Sequence, residues 1–170
     1  MPFSFADFIT DSAGSTNAPA IPQNMKITRR LEFDAGHRIP HHASQCRNLH
    51  GHRYTLELTL QGEPISTRGS SDEGMLLDFS DVKFIAKREI VDRWDHAFLV
   101  HADDTAVRNF LESLPDHKTV VLALVPTAEN LARIAFDTLA PHFDNAYAGR
   151  LKLARVRLYE TPNCWADAEA

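Results

Sequence analysis

Five of the nine histidines in this chain, His37, His41, His42, His50 and His52, fall between positions 37 and 52. Alternation decides which of them can act together. His37 continues the apolar parity of Ile27, Leu31, Phe33 and Ala35, with Arg29 as its one exception. His50 and His52 lead into the apolar parity of Tyr54, Leu56, Leu58 and Leu60. If the two segments pair antiparallel, the end of the first lies beside the start of the second, and three imidazoles converge at the rim of a sheet. Three neutral imidazoles with a fourth position open suit catalytic zinc, since structural zinc sites fill all four positions. Gly51, between two of the three, allows a close backbone approach. Any one of these residues alone reads as a polar histidine at a strand end, and it is the shared face that makes a metal site. His41 and His42 belong to the intervening loop and are expected to face solvent or an anion.

Other reactive groups stand near this cluster in sequence or parity. Cys46 precedes His50 by four positions and is followed by Arg47. It reads either as a small buried hydrophobe or as a thiol whose thiolate a neighbouring cation favours. In Asp95-His96 an aspartate can fix the imidazole tautomer and raise its basicity, although such a pair is also ordinary at helix ends. Glu160 shares parity with Ala154, Val156 and Leu158. It is either a carboxylate at the end of an apolar strand face, in need of donors, or a solvated residue past the strand end. Thr127 and Glu129 read first as an N-cap and a first-turn acid. Arg38, Arg47 and Arg53 read as solvated charge or as anion partners.

The elements that must position these groups follow from periodicity. Strands are expected over Lys26–His37 and from His50 to Leu60, followed by a loop marked by Pro64, Gly69 and Gly74. A helix is expected from Ser80-Asp81, with Phe79, Val82, Ala86, Ile90 and Trp94 as its inner stripe. A short helix spans Asp104 to Leu114, and Lys118–Val125 reads as a buried strand. The next helix opens at Pro126-Thr127, turns Leu131, Ile134, Ala135, Thr138 and Leu139 inward, and ends at Pro141. The last strand is Leu151–Glu160. This order argues an α+β fold.

Residues 1–24, rich in Ser, Thr, Asn, Ala and Pro, read as a loosely attached extension, with the folded domain over 25–170. The 170 residues suffice for one core, and 44% hydrophobic with 24% charged residues is ordinary for a globular protein. A net charge of -5 supplies no global field for nucleic acid, and no stretch is apolar enough to span a bilayer. The N-terminus lacks the marks of a secretory signal, which points to the cytoplasm, where Cys46 and Cys164 would be free thiols.

Six blocks in order carry a resemblance. They are Phe33-Asp-Ala-Gly-His37, Cys46-Arg-Asn-Leu-His50-Gly-His52, Gly74-Met-Leu-Leu-Asp-Phe79, Trp94-Asp-His96, Pro126-Thr-Ala-Glu-Asn130 and Tyr159-Glu-Thr161. Together they resemble the 6-pyruvoyl-tetrahydropterin synthase superfamily over residues 26 to about 161. The three residues between Cys46 and His50 are similar to the 6-carboxy-5,6,7,8-tetrahydropterin synthase branch, which serves queuosine and other deazapurine pathways. The resemblance implies zinc on His37, His50 and His52, and Cys46 as thiol acid/base. It implies Asp95 with His96 as a second acid/base pair, Glu160 as the pterin anchor, and pterin contacts from Thr127 and Glu129. It also implies the tunnelling fold, an antiparallel sheet with two main helices on one face, whose trimers close into barrels and pair into homohexamers.

The substrate implied is 7,8-dihydroneopterin triphosphate, and the products are 6-carboxy-tetrahydropterin, acetaldehyde and triphosphate. Two alternatives remain open at this level. A 6-pyruvoyl-forming lyase would eliminate triphosphate without breaking the side chain, and a non-catalytic zinc-stabilised module would close its fourth position, with Cys46 as ligand. The chain departs from the family pattern at Trp94, at Val100, in the loop from Gly62 to Gly74 and in residues 1–24.

Overall fold

A computed structural model describes residues 24–170, so the expected extension 1–24, but for its last residue, lies outside the described residues. Six strands form one sheet in the order β4-β3-β1-β2-β5-β6. Its centre is the antiparallel pair β1 (Met25–His37) and β2 (His50–Gly62), in register along their whole length from Met25 opposite Gly62 to His37 opposite His50. This pairing follows from period-2 alternation, which places Leu56, Leu58 and Leu60 on one face and Glu57 and Thr59 on the other. β5 (Leu151–Thr161) continues the sheet antiparallel to β2, and β6 (Cys164–Glu169) turns back along β5.

On the other side of β1 the sheet is parallel. β3 (Ala97–His101) pairs with the last residues of β1, and β4 (Thr119–Leu122) pairs with β3. Helix α1 (Phe79–Ala86) runs through a π turn at Lys87–Val91 into α2 (Asp92–Trp94). Together with α4 (Ala128–Ala146) it covers the apolar face. Leu131, Leu139 and Phe143 join Leu56, Leu58, Val156 and Leu158 there in one core. The short α3 (Thr105–Glu112) sets Val107 and Leu111 against Phe98 and Val100, the parity of β3 opposite to Ala97 and Leu99. Val100, a departure from the family pattern, is thus a packing residue of this small cluster.

Several expectations change. The sheet is mixed, because β3 and β4 follow helical connections long enough to return parallel. β3 was not foreseen, since a short apolar run does not distinguish strand from helix by period. The strand expected over Lys118–Val125 is only Thr119–Leu122, and of its residues only Leu122 is buried. It is the sheet edge, and Val121 is 49% exposed.

The first helix starts at Phe79, where the Asp78 carboxylate accepts the Ser80 N–H at 2.7 Å. Of the expected stripe, Val82, Ala86, Ile90 and Trp94 are buried, while Phe79, in the first turn, is exposed. Pro141 does not end α4. It lies on the solvent side with Asp137, so the carbonyl deprived of its N–H partner is on the wet face. The last strand runs on to Thr161 and is followed by β6, whose inward residues Ala166 and Ala168 give too weak an alternation to read.

Candidate metal centre and active site

The register of β1 and β2 builds the centre. His37 faces His50 across the pair and Ala35 faces His52. All three imidazoles therefore emerge on the core face at the rim, with ring centroids 4.4, 5.1 and 5.0 Å apart. One ring nitrogen from each lies within 4.8 Å of the others. Gly51 makes the approach possible, since a Cβ there would stand 2.8 Å from the Ala35 carbonyl oxygen.

Backbone carbonyls fix two of the rings. His37 Nδ1 donates to Pro126 O at 2.7 Å, and His50 Nδ1 donates to Asn48 O at 2.8 Å. A carbonyl accepts only, so each Nδ1 carries a proton, and in the neutral ring the lone pair is left on Nε2. His37 Nε2 and His52 Nε2 are buried without a hydrogen-bond partner. Burial holds both imidazoles below the usual histidine range, so they are neutral and ready to ligate. Buried nitrogens with free lone pairs are costly unless something fills them, and a metal cation fits this set. Tyr54 floors the trio with its ring 5.9 Å from His37 and 5.7 Å from His52. Burial, with Glu160 near, pushes its hydroxyl above the usual tyrosine range.

Glu160 lies where its parity placed it, one step beyond the Thr55–Tyr159 rung of β2 and β5. Its Oε1 is 3.4 Å from His37 Nε2 and 4.0 Å from His52 Nε2. A cleft of about 720 Å³ opens beside it, lined by Tyr159, Thr161 and Trp165. On the other side of His52 a second cleft, about 590 Å³, brings His50 and His52 to the same wall as His96 and His117. The metal centre thus stands between a carboxylate cleft and a histidine cleft.

Asp95 and His96 form the corner between α2 and β3. Asp95 Oδ2 is 3.0 Å from His96 Nδ1, and Asp95 Oδ1 accepts the Asp34 N–H at 3.0 Å. That N–H holds the Asp95 carboxyl below its ordinary range. His96 N–H donates to Asp34 O at 2.6 Å, and Lys118 Nζ donates to the carbonyls of Asp92 and Asp95. His96 adopts φ +57°, a left-handed conformation uncommon for a side-chain-bearing residue and one that recurs at functional sites. Arg53 forks onto the Asp34 carboxylate at 3.0 and 2.9 Å.

Cys46 is half-buried in a 3-10 turn, Gln45–Arg47, and its sulfur is not one of the ligand atoms within 4.8 Å of the trio. The four-ligand set of a closed zinc module is therefore not assembled from Cys46. Thr127 caps α4, its Oγ1 accepting the Asn130 N–H at 3.3 Å, and Glu129 is exposed in the first turn. The contribution of this block to the centre is the Pro126 carbonyl, which sequence reading missed because a main-chain acceptor has no side-chain signature. Arg38, Arg47 and Arg53 each have protein partners, respectively Asp104, the Ala43 carbonyl and Asp34. His41 and His42 are exposed, as expected.

Comparison with known proteins agrees with this geometry. Residues 26–170 match the family described as 6-pyruvoyl tetrahydropterin synthase. The chain is 36% identical over 143 residues to the 6-carboxy-5,6,7,8-tetrahydropterin synthase of Rickettsia bellii, covering 84% of this chain and 99% of that one. It is 32% identical over 145 residues to the enzyme of the same name from Haemophilus influenzae, covering 84% and 96%. Among solved structures, the 6-pyruvoyl tetrahydropterin synthase of Caenorhabditis elegans superposes with a TM-score of 0.61 at 23% identity, covering 86% of this chain and 96% of that one. An uncharacterized protein of Wolinella succinogenes superposes with 0.70 at 22%, covering 86% and 98%. These likenesses give the fold, and the family match and the closer relatives give the lineage: the chain belongs to the 6-pyruvoyl tetrahydropterin synthase family.

Proposed function

We propose that this chain is a zinc-dependent lyase that takes up water and converts 7,8-dihydroneopterin triphosphate to 6-carboxy-5,6,7,8-tetrahydropterin, acetaldehyde and triphosphate, a product that feeds deazapurine synthesis such as queuosine. The observation that carries this reading is the convergence of three imidazoles, two of them turned by backbone carbonyls so that their Nε2 atoms face the others. Relatives named for this reaction, 36% and 32% identical across nearly their whole length, support the branch.

His37, His50 and His52 would hold the zinc. When bound, it supplies a Lewis acid that lowers the pKa of the substrate's side-chain hydroxyls. Cys46 moves a proton at the first side-chain carbon, and the Asp95–His96 pair moves a second. Asp95 holds the His96 Nδ1 proton, which leaves Nε2 as the exchanging atom. Glu160 accepts the paired N–H groups of the pterin, a charge-assisted contact that orients the ring. Thr127 and Glu129 border the pterin from the head of α4.

The chains assemble as homohexamers of paired trimers, which gives partners to the two sheet edges, β4 and β6. No helix among the described residues is long and apolar enough to cross a membrane.

The test is mass spectrometry of products from zinc-loaded protein given the triphosphate, with acetaldehyde trapped. Acetaldehyde with the 6-carboxy product is expected. A 6-pyruvoyl product would move the chain to the other branch, and absence of turnover would overturn the assignment.

A further inference from the structure

Arg38 directly follows the proposed ligand His37, yet its guanidinium turns onto a buried carboxylate. Nε and Nη2 donate to the two carboxylate oxygens of Asp104 at 2.5 and 2.9 Å. Asp104 is almost sealed, its side chain 4% exposed. It also stands at the N-cap of α3, where an aspartate ordinarily accepts a first-turn N–H, but its side chain makes no such bond. The fold leaves this helix start uncapped and spends the carboxylate on Arg38. A local rule broken without local gain marks a site held for another purpose.

The purpose lies in the loop that joins β1 to β2. Arg38 Nη1 points to the Arg47 carbonyl at 3.5 Å, a long and weak contact that orients the guanidinium toward the turn. The next residue, Ile39, donates its N–H to the Cys46 carbonyl at 2.8 Å. Asn48 N–H closes the turn onto Gln45 O at 2.9 Å, and Asn48 O in turn receives His50 Nδ1. The loop's other side chains bond only within it: His42 Nδ1 accepts the Ser44 N–H, and Arg47 donates to Ala43 O. Among the described residues, two side-chain hydrogen bonds therefore tie residues 38–49 to the body of the protein: the His50 ring holds the loop's end at Asn48, and the fork on Asp104 holds its start.

We propose that Arg38, anchored by Asp104, is a positioning residue that holds the Cys46-bearing turn in register with the metal ligands. The proposal rests on the reading of Cys46 as the acid/base. A planar fork is needed, since an ammonium cannot grip both carboxylate oxygens and a carbonyl in one plane.

The experiment uses the zinc-loaded full chain with Arg38→Lys, which keeps the charge and loses the fork, and Asp104→Asn, which leaves a good capping residue at the head of α3. The expected result is a kcat lower by roughly 10- to 100-fold, the scale of a small misplacement of a reacting group. KM and zinc content should hold. Independently of turnover, alkylation by iodoacetamide is followed by mass spectrometry at Cys46 and at the exposed Cys164 as internal reference. The Cys46 to Cys164 rate ratio should rise several-fold as the turn opens. An unchanged ratio in both variants overturns the proposal, whatever kcat does. A raised ratio with unchanged kcat upholds the positioning role and overturns the reading of Cys46 as acid/base. Should Arg38→Lys fail to fold, Asp104→Asn carries both readouts.

Discussion

The proposed metal ligands and the proposed acid/base groups of this protein are held by different means. His37, His50 and His52 project from two paired strands, and two of the rings are locked by main-chain carbonyls. Cys46 and His96 sit in connections between elements and are steadied by charged side chains, Arg38 with Asp104 and Arg53 with Asp34. A ligand fixed by pleat and carbonyl is as rigid as the sheet. A group fixed by an ion pair is as rigid as that pair, which salt and single substitutions can loosen. The proposed centre thus joins a stiff metal cradle to more adjustable groups proposed to carry protons.

The largest effect should come from the cradle. His52→Ala removes a ligand without touching the β1–β2 ladder, so zinc content by elemental analysis should fall to near zero and turnover should vanish, with the far-UV circular dichroism of the sheet preserved. Zinc retained at full content would mean that the trio is not the metal site. Cys46→Ala should be as damaging to turnover yet leave zinc at its wild-type level. If that variant loses zinc, Cys46 is a ligand and the division between cradle and carriers fails.

Glu160→Gln comes next. A neutral amide keeps the shape but loses a charge-assisted acceptor, so pterin affinity by calorimetry should weaken roughly 10- to 100-fold. The carboxylate is also 3.4 Å from His37 Nε2. If zinc content falls instead while affinity for the pterin holds, Glu160 belongs to the cradle.

Much of the cradle was legible because period-2 parity survives into the fold. The parity of His37, His50, His52 and Glu160, read against Leu56, Leu58 and Val156, puts all four on one face, and the structure keeps them there. Gly51 signalled the close approach that its neighbour Ala35 makes. Other supports of the site were not legible. Pro126 acts through its carbonyl, which every residue has. Asp34 and Arg53 are cross-strand partners on the polar face, where any charge reads as solvated until the register is known. Asp104 read only as the start of a short helix, and its carboxylate is bound to Arg38. β3 escaped because Ala97–His101 is too short for its period to speak, and Pro141 misled because a proline on the wet side of a helix costs little there.

The pH dependence of the metal-free protein tests the stiff half alone. Burial holds His37 and His52 below the ordinary histidine value, so the unfolded chain binds more protons than the folded one as pH falls below about 6.5. Their contribution to stability is full at pH 7.5 and is lost progressively at lower pH. The carboxyls of Asp34 and Asp95, held low, lose theirs only below about pH 4, so they do not obscure this window. The thermal midpoint of metal-free protein should fall between pH 7.5 and 5.5, and His37→Gln should flatten the fall. A midpoint that holds steady would mean that His37 and His52 are not buried neutral.

The smallest effect separates the two ion pairs. Arg53 and Asp34 are largely exposed, at 68% and 44%, so their pairing contributes little to stability and is screened by salt. The main chain of Asp34, through its N–H to Asp95 and its carbonyl from His96, persists without the fork. Arg53→Met should therefore leave the thermal midpoint within about 2 °C of wild type. It should lower kcat only a few-fold, and in 0.5 M salt, at about a 4 Å screening length, the wild type should approach the variant. Asp104→Asn, which removes a carboxylate itself almost sealed from solvent, should show no such convergence. If both pairs respond alike to salt, burial is not what distinguishes them, and the Cys46 turn is no better anchored than the His96 corner.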